Sequence, residues 1–305
     1  MRILGILPES IGGRLTISSI FDGFKMLGAD VVIYDKLSPT VISDFNFDYI
    51  VSYDFTGIKF KVENNLDIKT INYFSDVIQN KTSGDDWQKY VSELNKRDNY
   101  TFYWDRELSM KEKNVFYLPH FVNTEIYKNI NDKPMYDVMF AGRLDTKQRL
   151  DLMESVVSKC PQFSFCWYAI ERHYIDALSR CKNKALITQI YQGFIDNEVD
   201  MAKAINNSKI VINIHSQGVS ALNYRTIQTL ACERLIISDN RAELDLFDNK
   251  IPTYNTVDEI PDLIKYYLSN QDEYNKVTKY CANICRDKHN SQVGVRYILD
   301  KIGTV

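Results

Sequence analysis

The chain has 305 residues, 45% of them apolar and 25% charged, with a formal net charge of −3. That length and apolar content suffice for two α/β domains, each with its own core, while the acidic balance argues against electrostatic binding of nucleic acid. No stretch approaches the about 20 apolar residues of a membrane span, and six cysteines with no preceding leader fit reduced thiols in a cytoplasmic protein.

Arg2 to Leu7 reads as a buried strand, Pro8 to Arg14 as a loop with the paired glycines Gly12 and Gly13, and Leu15 to Gly28 as a helix. Ile17, Ile20, Phe21, Phe24 and Leu27 share one face of that helix, and Gly28 ends it. Asp30 to Tyr34 is the next strand, which completes a βαβ start without the G-x-G-x-x-G of a dinucleotide site. Asp48 to Tyr53 and Lys69 to Phe74 are further strands, followed by Asp54 and by Ser75-Asp76. Acidic residues just past strand ends face the ligand crevice of an open α/β sheet, so Asp76 is a candidate catalytic group. A polar stretch, Gln79 to Asn99, includes a helix from Trp87; Asp85-Asp86 lacks the spacing of a metal motif. Tyr100 to Trp104 and Asn114 to Leu118 read as short strands, and the polar, Pro-terminated run Lys128 to Pro134 as a linker.

Met135 to Phe140 opens a second domain as a strand, followed by Gly142, Arg143, Lys147 and Arg149. A glycine there lets backbone approach a phosphate, and the cations suit a diphosphate. Asp151 to Ser158 is helical; Phe163 to Tyr168 and Ile187 to Gln192 are expected strands, the latter leading to Gly193. Next come an apolar strand, Ile210 to Ile214, a polar turn, His215 to Gly218, an amphipathic helix, Tyr224 to Cys232, and a strand, Leu235 to Ser238. In such a βαβ unit, ligands gather where the strand ends and the helix begins. Ser216 to Arg225, with Asn223 and Tyr224, is therefore expected to line a site, and His215 is placed to face it. The positive helix end and Arg225 suit an anion. Cys281, Cys285 and His289 make a poor metal set, and no metal site is expected. Helices from Val257, Glu273 and His289 close the chain.

The run Asn223-Tyr224-Arg225-Thr226-Ile227-Gln228-Thr229-Leu230-Ala231-Cys232 resembles the N-x-R-x-F-E-A-L-A-C-G signature of CgeB-like, group 1 glycosyltransferases. The likeness covers Tyr136 to Ile302 well and the first domain loosely. It implies the GT-B fold: two Rossmann-like, doubly wound domains facing a cleft, with the C-terminal helix crossing back to the first. The implied boundaries are an acceptor domain over 1–130, a donor domain over 135–285 and the returning helix over 286–305. The resemblance further implies donor contacts at Gly12, Gly13, Gly142, Arg143, Lys147, Arg149, Gly193, Ser216, Asn223, Tyr224 and Gln228, with Asp76, His215 and Arg225 in catalysis.

The implied activity is metal-independent sugar transfer from a nucleoside-diphosphate sugar, UDP or GDP, to a glycan or lipid-linked hydroxyl. The implied setting is bacterial surface polysaccharide synthesis in the cytoplasm, with peripheral contact at the inner membrane face left open. The donor is a substrate; no permanently bound cofactor is expected. Related retaining enzymes carry Glu-x7-Glu where this chain has Ser220 and Gln228, and Gly where it has Glu233. An amide oxygen holds a ribose hydroxyl more weakly than a carboxylate. Retention is favoured over inversion, and the alternatives are a catalytically silent nucleotide- or sugar-binding member or a sugar-nucleotide epimerase of the same fold.

Overall fold

The computed structural model describes residues 1–34, 46–75, 93–94, 96, 98–111, 115–215 and 219–303. The chain forms two compact units. Unit 1 comprises Met1–Asn123, Ser216–Tyr224 and Asp287–Val305; unit 2 comprises Thr124–His215 and Arg225–Arg286. The polar run 128–134 thus packs as part of unit 2, and the nine residues Ser216–Tyr224, which follow a strand of unit 2 and reach the first residue of its next helix, belong to unit 1.

Unit 1 is built on a parallel sheet of β1 (Arg2–Ile6), β2 (Asp30–Tyr34), β3 (Tyr49–Tyr53), β4 (Lys69–Phe74), β5 (Asn99–Tyr103) and β6 (Val115–Tyr117), in the order β2-β1-β3-β4-β5-β6. All of β3 is buried, as its unbroken YIVSY run requires of a central strand. Helix α1 (Ile11–Met26) follows β1, α2 (Thr56–Glu63) follows β3, and a short turn, α3 (Arg106–Ser109), follows β5. Gly12 and Gly13 lie in the first turn of α1, not in a loop, because Ser10 caps the helix by accepting from the N–H of Gly13. Helix α1 ends in a Schellman motif: Gly28, at φ 84°, donates to the Lys25 carbonyl and Ala29 to that of Phe24. Ile17, Ile20, Phe21 and Phe24 are buried in the core. Burying each contributes about 1.5–3 kcal/mol before entropy is counted.

Unit 2 is built on β7 (Tyr136–Ala141), β8 (Phe165–Tyr168), β9 (Ser208–Asn213), β10 (Leu235–Asp239) and β11 (Thr253–Tyr254), parallel in the order β11-β10-β9-β7-β8. Its helices are α4 (Lys147–Lys159), α5 (Glu171–Arg180), α6 (Lys184–Ile190), α7 (Glu198–Asn206), α8 (Tyr224–Ala231), α9 (Ile260–Ser269) and most of α10 (Gln271–Lys288). The strand expected over Ile187–Gln192 is α6 instead. Asn183 caps it through the N–H of Leu186, and Leu186, Ile187 and Ile190 have helical spacing. A single bridge from Tyr191 to Trp167 is the extended remnant. Helix α4 starts at Lys147, earlier than expected, because Thr146 caps it.

The last helix, α11 (Ser291–Lys301), belongs to unit 1 and packs on α1, with Val295, Ile298 and Ile302 in the unit 1 core. Among the described residues no helix is long and apolar enough to cross a membrane. All six cysteines are free thiols, five of them buried. Burial pushes the Cys281 thiol up to about 12, and no group of three or more metal-ligating side chains is found among the described residues.

Candidate active site

In both sheets the strand order reverses once, between β1 and β3 in unit 1 and between β7 and β9 in unit 2. The crevice outside the carboxyl ends of strands at such a reversal is the usual ligand position of an open α/β sheet. In unit 2, β7 runs into Gly142-Arg143 and β9 into Ile214-His215, so residues singled out from the sequence flank the reversal.

Gly142 has φ 150°, a conformation open to glycine and costly for other residues. Its N–H donates to the Tyr168 carbonyl at 3.0 Å, and its carbonyl accepts from Trp167 Nε1 at 2.9 Å. The Arg143 side chain is half exposed, 3.4 Å from Asp145, and Lys147 is exposed at the start of α4. Both can reach an anion. Arg149 is turned inward: its guanidinium donates to the carbonyls of Ile214 (2.7 Å) and Arg143 (3.2 Å) and lies 3.7 Å from Asp145. In this structure it fixes the backbone on both sides of the reversal.

His215 is buried, its side chain fully so, rather than exposed to a crevice. Its Nδ1 donates to Asp239 Oδ1 at 2.6 Å, and its backbone N–H donates to the same oxygen at 3.1 Å. Burial pushes the imidazole pKa down, against the opposing pull of Asp239. Burial would raise the Asp239 carboxyl, but the hydrogen bonds and charge around it, from His215 first and then Arg241, hold it down at about 2. At neutral pH the pair is a neutral imidazole donating to a carboxylate. Arg241 binds the other carboxylate oxygen at 3.0 Å, and Tyr254 donates to the Asn213 carbonyl at 2.9 Å. The carboxyl end of β9 is thus held by α4, β10 and β11 together.

Gly193 has φ 95° with open space where a Cβ would be, and its carbonyl accepts from Ala169. Beside it Tyr191 stacks on Tyr174, centroids 4.1 Å apart and planes 3° from parallel. Arg225 is half-buried on α8. Gln228, three residues on, is fully buried and donates to the Tyr127 hydroxyl. Glu233, just past α8 at φ 54°, has its carboxylate bound by Asn129 and Arg286, both at 3.1 Å, and supplies no charge at the place of Gln228.

In unit 1, Gly13 is packed tightly: an added Cβ would lie 2.6 Å from Ser10 Oγ, 2.8 Å from Pro8 and 2.9 Å from Tyr53. Gly12 has nothing within 4 Å of such a Cβ. Asn223 is half-buried. The Tyr224 hydroxyl is 2.6 Å from Ser19 Oγ, and its ring meets His120 edge-on, centroids 5.5 Å apart. Asp76 and Ser216 lie outside the described residues.

Two carboxylates were not anticipated from the sequence. Asp105, fully buried after β5, gathers the backbone of 219–221; Asp239, at the end of β10, holds His215. Asp105 lies two residues past β5, as Asp76 lies two past β4, and Asp239 is the last residue of β10, so the same reasoning applied at every strand would have found them.

Residues 152–300 match the family model described as glycosyl transferase-like. Among curated protein sequences none matches. Solved structures match over nearly the whole chain. An alpha-glucosyltransferase in complex with UDP and a 13-mer DNA aligns with TM-score 0.75 at 13% identity, covering 99% of this chain and 100% of its own. Sucrose-phosphate synthase from Thermosynechococcus elongatus aligns with TM-score 0.71 at 10% identity, covering 99% and 98%. The Anabaena protein HepE, in complex with UDP, aligns with TM-score 0.66 at 11% identity, covering 100% of both. The fold is that of the GT-B glycosyltransferases. The Ser220 hydroxyl donates to Asp105 at 2.9 Å, and Gln228 is buried.

Proposed function

We propose that the protein is a CgeB-like glycosyltransferase that moves a sugar from a nucleoside-diphosphate sugar to a hydroxyl of a glycan or lipid-linked acceptor. UDP or GDP is the donor nucleotide, no metal is required, and the product belongs to a bacterial surface polysaccharide made at the cytoplasmic side of the membrane. The observation that carries this reading is the strand reversal of the second sheet, where the chain turns at Gly142 and the exposed cations Arg143 and Lys147 follow, beside the usual ligand position. As the glycosidic bond breaks, charge grows on the departing diphosphate. Cations and helix N-terminal amides aimed at that charge stabilise the transition state more than the ground state. The UDP complexes of two neighbours support a diphosphate donor.

The test is thermal unfolding with UDP, GDP, TDP, ADP and CMP, with and without magnesium. A ligand at a hundred times its dissociation constant adds about 2.7 kcal/mol to the native state, a rise of several degrees. One diphosphate should act alone and without regard to magnesium, and Arg143→Ala should weaken it about tenfold, as loss of a charge-assisted bond does. No shift with any nucleotide would defeat the reading.

The burial of Gln228 and the engagement of Ser220 with Asp105 favour a second reading, a silent member that binds donor without turning it over. Binding of UDP with no release of sugar from any UDP- or GDP-sugar would select it.

A further inference from the structure

Asp105 follows β5 and is fully buried. Its Oδ2 accepts from three consecutive backbone N–H groups, those of Val219 (2.6 Å), Ser220 (3.0 Å) and Ala221 (3.2 Å). Its Oδ1 accepts from Ser220 Oγ (2.9 Å) and from the N–H of Leu108, which caps α3 (3.0 Å). Ser220 Oγ in turn accepts from the N–H of Glu107 at 3.2 Å. A buried carboxylate is costly unless donors surround it. Here five donors do, and they hold its pKa down against the upward push of burial. Three N–H groups converging on one anion form the concave backbone arrangement that otherwise holds a phosphate or a cluster. The chain supplies that anion itself, from more than a hundred residues away in sequence.

Asn223 and Tyr224 follow this clamp after one residue, Leu222, and Ser19 and His120 hold the Tyr224 ring at its far end. Ala221 is part of the unit 1 core. We propose that Asp105 is a positioning residue for nucleotide-sugar binding: it sets the backbone of residues 219–221 and through it the place of Asn223 and of Tyr224, which opens α8. The proposal rests on the reading of that helix start as part of the donor site. With both oxygens engaged inside the protein, Asp105 itself does not touch substrate.

The experiment compares wild type with Asp105→Asn and Ser220→Ala, reading hydrogen exchange at the amides of 219–221, UDP affinity by calorimetry, and kcat and KM for the donor. Asn matches Asp in shape, but either orientation of its amide sets an NH2 against backbone N–H groups. In D105N the 219–221 amides should exchange at least tenfold faster while those of β1 and β3 keep their protection. The Kd for UDP and the donor KM should rise at least tenfold, with kcat less affected. S220A, which removes one of the five bonds and carries the test if D105N fails to fold, should move both exchange and Kd a few-fold in the same direction. Faster exchange at 219–221 with a wild-type Kd would overturn the proposal, as would unchanged exchange in both variants. Absence of nucleotide binding in the wild type would instead defeat the donor reading, and the proposal with it.

Discussion

Gly12 and Gly13 are adjacent in sequence and opposite in physical role. A Cβ on Gly13 would collide with Ser10, Pro8 and Tyr53, whereas one on Gly12 meets open space. Gly13→Ala should therefore lose about 1–3 kcal/mol, the usual cost of overpacking. Gly12→Ala should gain about 0.5 kcal/mol from the lower entropy of the unfolded chain. Urea unfolding of the two variants reads both signs. If Gly12 lets backbone approach a ligand, G12A will combine unchanged or higher stability with weaker nucleotide or acceptor binding. The pair was visible in the sequence, but which of the two is a packing residue was not, because Tyr53 lies forty residues away. Arg149 shows the same limit. Its type and position suited a phosphate, yet its guanidinium is engaged by the carbonyls of Arg143 and Ile214, the second of which only the folded chain brings near.

Helix α1 was legible from its apolar face and α11 as the closing helix; the resemblance implied a return of α11 to the first domain but did not name α1 as its partner. They meet where Gly23 leaves room for the α11 backbone: a Cβ there would lie 2.3 Å from the Ser291 carbonyl oxygen and 2.5 Å from Val295. On α11, Gly294 leaves similar room for the Phe121 ring. Neither backbone can yield as a flexible side chain would, so Gly23→Ala should cost about 1–3 kcal/mol. It should also expose the C-terminal helix to limited proteolysis before the rest of unit 1. Cleavage no faster than in the wild type would refute this account of the contact. Residues 186–191 are a short, mostly apolar run, with Leu186, Ile187, Ile190 and Tyr191, and such a run is open to a strand or to a helix, whose spacing Leu186, Ile187 and Ile190 suit. The Asn183 cap decided for the helix.

Both units of the molecule bury histidine: unit 1 buries His120 and His289, the latter with Nδ1 3.3 Å from the His120 carbonyl, and unit 2 buries His215. Burial pushes the His289 pKa down to about 4. A histidine whose folded pKa lies below its unfolded value of about 6.5 leaves stability untouched above that value. As pH falls from about 6.5 toward 4, the unfolded chain takes the proton first and stability drops, by about 2 kcal/mol at pH 5 for His289 alone. His215 acts in the same direction. Asp239, held at about 2, adds stability above pH 3.8 that is lost between 3.8 and 2, below the histidine window. Urea midpoints should therefore fall between pH 7 and pH 5, and His289→Gln should lessen the fall for unit 1. An equal fall in the variant would assign the dependence elsewhere.

Local order was within reach of the sequence by itself: strands as short apolar runs, helices as apolar faces with caps, two α/β halves, and a glycine and cations after the first strand of the second half. These are properties of neighbours in the chain, where periodicity and side-chain type carry the information. What only the tertiary structure decided is which polar groups meet. Asp105 finds residues 219–221, Asp239 finds His215, and Gln228 finds Tyr127, across separations of 114–116, 24 and 101 residues. A buried donor or acceptor must be satisfied by whatever the fold brings near it, so the partners of these groups were settled by the packing of the sheets and not by any local pattern.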